Sequence, residues 1–355
     1  MSQVFRSRVC EPHARGREFG TVHAQKILAT VQTYQALFAR VASQPFDLRV
    51  LGAQALAQIA AFAPPLHEEI LGIAEGAGIE VEYLGAINAR TEILALLGAQ
   101  LRGECSTVVK VDPWGEPVTA QTWDWYCEFE DLWLTWEIPH ADGRLTTTVT
   151  EYGIVGKPGV NNRGLGVHFN ILHHQHDGAT PEGQVIGVPV HVLSRWILDS
   201  CRDINQALQL CNRTKVSASS SLTLITAAEH ASAALSVEIH PGGPGLVFPG
   251  ADGLLVHTNH FLSAPASQFD TEPRTYPDTL IRYDQLVRRL SNRPELGALD
   301  MLAALNSHLG SISALCCHPD SSLPLTGQYA TLASITFDVA AGTLQARAGG
   351  PCRHL

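Results

Sequence analysis

The chain has 355 residues, of which 45% are hydrophobic and 16% charged, with a formal net charge of −10. This is globular material, long enough for one large core or two modest ones. The acidic balance excludes a nucleic-acid binder, which needs clustered Lys and Arg to displace counterions, and no apolar run approaches the length of about eighteen residues that a membrane span needs.

The N-terminal stretch MSQVFRSRVCEPHARGREFG carries charges throughout and lacks the apolar centre of a secretory signal, so the chain is expected in the cytoplasm. Up to residue 104 the pattern is helical. Val22, Ile27, Val31, Leu37 and Phe38 recur at roughly helical spacing. Asp47 reads as an N-cap for LRVLGAQALAQIAAFA, and Pro64-Pro65 stops that segment. LHEEILGIAEGAG forms a third helix ending at a glycine, and a fourth runs from Glu80 through YLGAINARTEILALLGA.

The texture changes at Cys105. STVVKV is short and β-branched, DPWGE is a turn, and PVTAQTWDW is a second extended run, so Cys105 stands where a helical segment meets the first strand of a hairpin. Further extended segments are TTTVTEYGIVG, GLGVHFN, SLTLITAA, ALSVEIH, GLLVHTN, ATLASITFDV and TLQARAG. Helical patterns at VPVHVLSRWILDSC, DINQALQLC, DTLIRYDQLVRRL and PELGALDMLAALNSHL lie between them, and residues 173–184 and 263–278 read as loops. Hairpins with helices in separate blocks predict a layered α+β domain. The eight cysteines are scattered and contain no CxxC pair, which predicts free thiols and no metal site.

EFGTVHAQ (18–25), HEEILGIAEGAG (67–78), INARTE (87–92), GECST (103–107), QTWDW (121–125), TEYGIVGKPGVNNRGLGVHFNIL (150–172) and VHTNH (256–260) occur in this order. Together they resemble the family of acyl-coenzyme A:6-aminopenicillanic acid acyltransferases, which includes β-alanyl-amine hydrolases. The resemblance implies a four-layer αββα N-terminal-nucleophile (Ntn) hydrolase sandwich with an N-terminal helical segment. It also implies self-cleavage between Glu104 and Cys105. Residues 1–104 would then be a helical chain, cleaved but retained, and 105–355 a catalytic chain opening on its nucleophile. The two fragments would form a heterodimer, which a higher oligomer could contain.

On this reading Cys105 attacks the Glu104 carbonyl, and water opens the thioester. The freed α-amine, with a pKa of about 8, then serves as the base for the same residue's thiol. The resemblance puts an oxyanion-stabilising asparagine at Asn259, an active-site aspartate at Asp124 and a processing serine at Ser220, with a register uncertain by one residue within Ser219-Ser220-Ser221. Strand alternation sets Asp124 opposite Trp123 and Trp125 and leaves a buried carboxylate in need of a partner. Trp123, Trp125, Tyr126, His168 and Asn170 are the candidate substrate contacts. Two departures stand out: Glu104 replaces the glycine of the penicillin-forming members, and residues 311–320 carry no arginine where those members have one.

The expected reaction is hydrolysis of a small N-acyl or (β-)aminoacyl amide through an acyl-thioester on Cys105, with no cofactor, metal, nucleic-acid or membrane partner. The alternative is an acyl-coenzyme A-dependent N-acyltransferase. Readings of another class are a metal-dependent hydrolase, suggested by His173, His174 and His176, and a ligand binder without catalysis. The His run lacks the helical spacing of HExxH.

Overall fold

The computed structural model describes residues 3–99, 105–228, 231–293, 295–310 and 313–355. In chain order the elements are β1 (Val4–Arg6), α1 (Pro12–Val41), α2 (Leu48–Phe62), α3 (Pro64–Ala77), α4 (Val81–Asn88), α5 (Arg90–Leu96), β2 (Ser106–Lys110), β3 (Val118–Tyr126), β4 (Trp133–Pro139), β5 (Leu145–Glu151), β6 (Gly159–Asn161) and β7 (Leu165–Ile171). There follow α6 (Val190–Ser200), α7 (Ile204–Arg213), β8 (Ser220–Ala228), β9 (Ala231–Ile239), β10 (Gly245–Val247), β11 (Leu254–His257), α8 (Glu272–Thr275), α9 (Asp278–Leu290), α10 (Ala298–Leu305), β12 (Tyr329–Asp338) and β13 (Thr343–Ala348).

The helix ends follow from local chemistry. The Asp47 carboxylate accepts the amides of Arg49 and Val50, and α3 stops at Gly78, whose φ of 66° suits a residue without Cβ. The single helix expected from Glu80 onward is instead two, divided at Ala89. Asn88 anchors the break: its amide donates to the carbonyls of Leu84 and Gly153, and its Oδ1 accepts the Val155 amide. The break carries Arg90 and Glu92 into the interior. Helices α1 and α3 touch backbone to backbone, since a Cβ on Gly16 would fall 2.0 Å from the Glu69 carbonyl oxygen and one on Gly72 2.0 Å from that of His13.

An eight-stranded sheet has the order β1-β4-β5-β6-β7-β8-β9-β10, and a five-stranded sheet the order β11-β2-β3-β12-β13. The two pack face to face through β2 on β7, β13 on β5 and β6, and β11 on β9. Helices α6 and α7 cover the outer face of the larger sheet, where His191 packs on Phe169. Helices α9 and α10 cover the smaller one, with Leu286, Leu290, Met301 and Leu302 against Val108 and Ala120. The layers are therefore αββα, as the resemblance implied. The N-terminal helices share the main core with the sheets, and Phe19 meets Trp136 there. β1 went unforeseen: it is three residues long and pairs in parallel with β4, far along the chain. No described helix is long and apolar enough to cross a membrane.

Candidate active site

Cys105 directly precedes β2, the second strand of the five-stranded sheet, and is buried. Its backbone is gripped on both sides. The amide nitrogen donates to Asn259 Oδ1 at 3.1 Å. The carbonyl oxygen accepts Asn170 Nδ2 at 3.0 Å and Arg282 Nη1 at 3.3 Å. Arg282, from α9, also donates to Ser106 Oγ and to Asn259 Oδ1, each at 3.0 Å. Asn259 Nδ2 donates to the Ile171 carbonyl at 2.9 Å. A primary amide carries a second hydrogen on that nitrogen, so Asn259 can hold the Cys105 nitrogen through Oδ1 and offer Nδ2–H to an oxyanion.

Alternation along β3 places Trp123 and Trp125 on the face turned to the larger sheet, with Gln121. Ala120 and Asp124 occupy the face covered by α9 and α10. Asp124 is buried close to the Cys105 thiol, and its backbone carbonyl accepts the Tyr329 hydroxyl at 2.9 Å. Burial, with the Asp124 charge beside it, pushes the thiol up to about 12. The Asp124 amide, Lys157 and Arg282 pull the other way and lose.

Behind the tryptophans lies a buried charge cluster. Lys157 Nζ stands 2.7 Å from Glu151 Oε2 and 3.7 Å from the Trp123 ring centre. The Arg90 guanidinium lies 4.6 Å over Trp125, with its Nε 3.5 Å from the same Glu151 oxygen. Tyr34 donates to Glu151 Oε1. Burial and the Arg90 charge push Lys157 down to about 7 against the pull of Glu151. Burial opposes ionisation of Glu151, yet Lys157, Arg90 and Tyr34 hold its carboxyl below the usual range. A small cavity adjoins this cluster, walled by Trp125, Leu94, Ile171 and Leu172, with Thr91, His173 and Asp177 as its polar lining. Burial pushes Asp177 up to about 6, despite hydrogen bonds from Ser219 Oγ and the His174 amide.

The other expected residues distribute as follows. Asn170 sits under Cys105, oriented by Thr107, whose hydroxyl donates to Asn170 Oδ1 at 2.7 Å. His168 lies deeper between the sheets, bonded to Thr119 and Gln121 and stacked on Phe337. Tyr126 is half-buried under the Arg40 guanidinium. Ser220 pairs across the ladder with Ile171, whereas Ser221 pairs with Asn170. Facing residues share a side of the sheet, so the serine on the Cys105 side is Ser221. Its hydroxyl is buried and makes no hydrogen bond among the described residues, while Ser220 Oγ donates to the Ser219 carbonyl. Glu104 lies outside the described residues.

Residues 114–353 match the family model described as acyl-coenzyme A:6-aminopenicillanic acid acyl-transferase. The chain belongs to this family. The 40 kDa form of acyl-coenzyme A:6-aminopenicillanic-acid-acyltransferase from Emericella nidulans is 30% identical over 230 residues, covering 64% of this chain. The chain spans 60% of the length of that curated relative. Among solved structures, an N-acylethanolamine-hydrolyzing acid amidase ortholog from Caenorhabditis elegans aligns over 66% of this chain and 93% of its own, with 13% identity and a TM-score of 0.47. Penicillin V acylase from Agrobacterium tumefaciens aligns over 69% and 83%, with 12% identity and a TM-score of 0.41.

For a member of the acyl-transferase family, the chain supplies cations at the site from places the sequence did not single out. Arg282 reaches Cys105 from α9, and Arg90 and Lys157 flank the tryptophans. Arg90 lies in INARTE and Lys157 in TEYGIVGKPGVNNRGLGVHFNIL, where a charge amid apolar and small residues was the available signal. Arg282 sits in an amphipathic helix rich in arginine, so nothing local distinguished it.

Proposed function

We propose that this chain is a self-processing cysteine amidohydrolase of the N-terminal-nucleophile type, acting on a small N-acyl or aminoacyl amide. The observation that carries the reading is the grip on Cys105 at a strand entry. The nitrogen that cleavage would turn into an α-amine already rests on Asn259, whose other amide hydrogen suits an oxyanion. In processing, Cys105 Sγ adds to the Glu104 carbonyl carbon, and the amide nitrogen leaves as an amine with the thiol's proton. Water then hydrolyses the thioester, giving the Glu104 carboxylate and a free thiol. In turnover the α-amine takes the thiol proton, sulfur adds to the substrate carbonyl, and Asn259 Nδ2 stabilises the oxyanion. The leaving amine departs with that proton, and water releases the acid.

Asp124 is assigned to hold the α-ammonium. The processing hydroxyl is assigned to Ser221 rather than Ser220, because only Ser221 shares a side of the sheet with Asn170. Fragments 1–104 and 105–355 would stay together: β1 belongs to the larger sheet, and Glu69 of α3 pairs with the buried Arg195 of α6 at 3.0 Å.

Intact-mass measurement tests the reading. Purified protein should give two fragments cut before Cys105, and Cys105→Ala a single inactive chain. An uncut wild-type chain would sink it. Acyl transfer is the second reading, favoured by the identity to the Emericella nidulans acyltransferase. It predicts that an acyl-coenzyme A is consumed faster when an amine acceptor is added.

A further inference from the structure

Away from the Cys105 site, four side chains of the soft and borderline donor types converge near the surface. Cys316 Sγ and Cys352 Sγ are 3.4 Å apart, and His318 Nε2 lies 3.9 Å from the first and 3.5 Å from the second. His308 Nε2 is 3.1 Å from His318 Nε2, and all four donor atoms fall within 4.8 Å of one another. A tetrahedral zinc with Zn–S of about 2.3 Å and Zn–N of about 2.0–2.1 Å spaces its ligands about 3.8 Å sulfur to sulfur, about 3.6 Å sulfur to nitrogen and about 3.3 Å nitrogen to nitrogen. These four spacings lie within about 0.4 Å of those figures, and the two from His308 to the sulfurs fall within 4.8 Å.

We propose that His308, Cys316, His318 and Cys352 form a Cys2His2 site for one Zn2+. This departs from the expectation of no metal, and it does not depend on the amide-cleaving reading. Two thiolates and two imidazoles in a tetrahedral set select zinc over the hard cations. Four protein ligands leave no open position, so the ion holds the chain together and activates no water.

The surroundings orient the ligands. The Cys316 amide donates to the Ser307 carbonyl at 3.0 Å, closing the loop that brings His308 to Cys316. The Cys317 amide donates to Thr331 Oγ1 at 2.9 Å, and the Thr331 amide returns a bond to the Cys317 carbonyl at 3.1 Å. A short 3-10 turn, Pro351–Arg353, presents Cys352. The approach needs Gly350, where a Cβ would fall 2.4 Å from Cys316 Sγ. Ligation uses thiolates and neutral imidazoles, and a dication at the centre favours the deprotonated thiols.

The ion would pin the C-terminal turn to the segment beside Thr331, the ladder partner of Asp124. The test uses untagged full-length protein purified without chelator, with metal measured by plasma mass spectrometry. About one zinc per chain is expected. After chelation, Co2+ should give the intense visible bands of a tetrahedral sulfur–nitrogen site. Cys352→Ser and His308→Ala should each lose the stoichiometric zinc and those bands. If both variants fail to fold, a mercurial thiol reagent added to wild type should release zinc to a chromogenic indicator. Protein that holds no zinc, takes up none and gives no cobalt bands would overturn the proposal. So would a native Cys316–Cys352 disulfide, seen as a mass lower by two hydrogens.

Discussion

Asn259 Oδ1 accepts the backbone amide of Cys105 at 3.1 Å, across a sequence gap of more than a hundred and fifty residues. The same oxygen accepts Arg282 Nη2, so one side chain joins the entry of β2, the end of β11 and helix α9. A backbone amide held by a side chain, where ladder pairing could have satisfied it, is a grip specific to this residue. In the proposed enzyme that contact outlasts cleavage, because an α-amine donates as an amide does.

Asn259→Ala removes both the acceptor for Cys105 and the Nδ2 donor. Loss of one oxyanion donor costs about 10²–10³ in kcat, roughly 3–4 kcal/mol. The expected result is a fall of that size in turnover per cleaved molecule, with the cleaved fraction read from gel bands. A KM change with kcat intact would remove the oxyanion role.

Ser221 and Ser220 separate cleanly. Ser221→Ala should slow appearance of the 105–355 fragment by about a hundredfold or more, the scale of a lost proton-transfer group. Ser220→Ala should leave the rate near wild type. Time-resolved mass spectrometry of freshly refolded precursor distinguishes them, and equal rates would return the assignment to neither serine.

Glu238 contributes to acid stability. Burial alone would raise its pKa, but His257, Ser263 and the Leu262 amide bring it down to about 2. His257 Nε2 lies 2.8 Å from Glu238 Oε1, linking β11 to β9 across the two sheets. A carboxyl depressed in the fold stabilises above its unfolded pKa of about 4.3 and loses that contribution as pH falls toward the folded value. Stability should therefore drop between about pH 4.3 and pH 2, by an amount on the order of 3 kcal/mol. In Glu238→Gln the slope of unfolding free energy over that window should flatten, as urea denaturation at stepped pH would read.

Gly72→Val forces α3 away from α1, because even a Cβ would meet the His13 carbonyl oxygen at 2.0 Å. Backbone cannot rotate aside as a side chain can. A loss of about 3 kcal/mol or more is expected, at the upper end of overpacking costs. The denaturation midpoint measures it, and a midpoint equal to wild type would contradict the packing described.

The alternation of apolar residues and the sudden β-branched run after Cys105 made the helical segment, the hairpin and the α+β class legible. Asp47 and Gly78 marked helix ends because capping is local chemistry. Asn170 and Asn259 were legible through the motifs around them. What stayed hidden depends on distant pairing. β1 is too short to show a period, and its partner β4 starts more than a hundred residues later. Which of Ser220 and Ser221 shares a side of the sheet with Asn170 depends on a strand pairing that no local pattern reveals. Arg282 looks like any arginine of an amphipathic helix until α9 is laid on β2 and β11. Cys352 joins His308, Cys316 and His318 only through the return of β12 and β13, so no ligand spacing announces the group.

Strand β1 lies before the proposed cut and β4 after it. While the chain is continuous, the two ends of that pairing are tethered and meet at a high effective concentration. Once Cys105 is freed, the same sheet is shared by two molecules, and a copy that unfolds must find its missing strand and helices by collision. Maturation would thus discard the instructions for refolding: the precursor assembles as one chain, whereas recovery of the mature form from heat or acid damage becomes concentration-dependent and worsens as the protein is diluted.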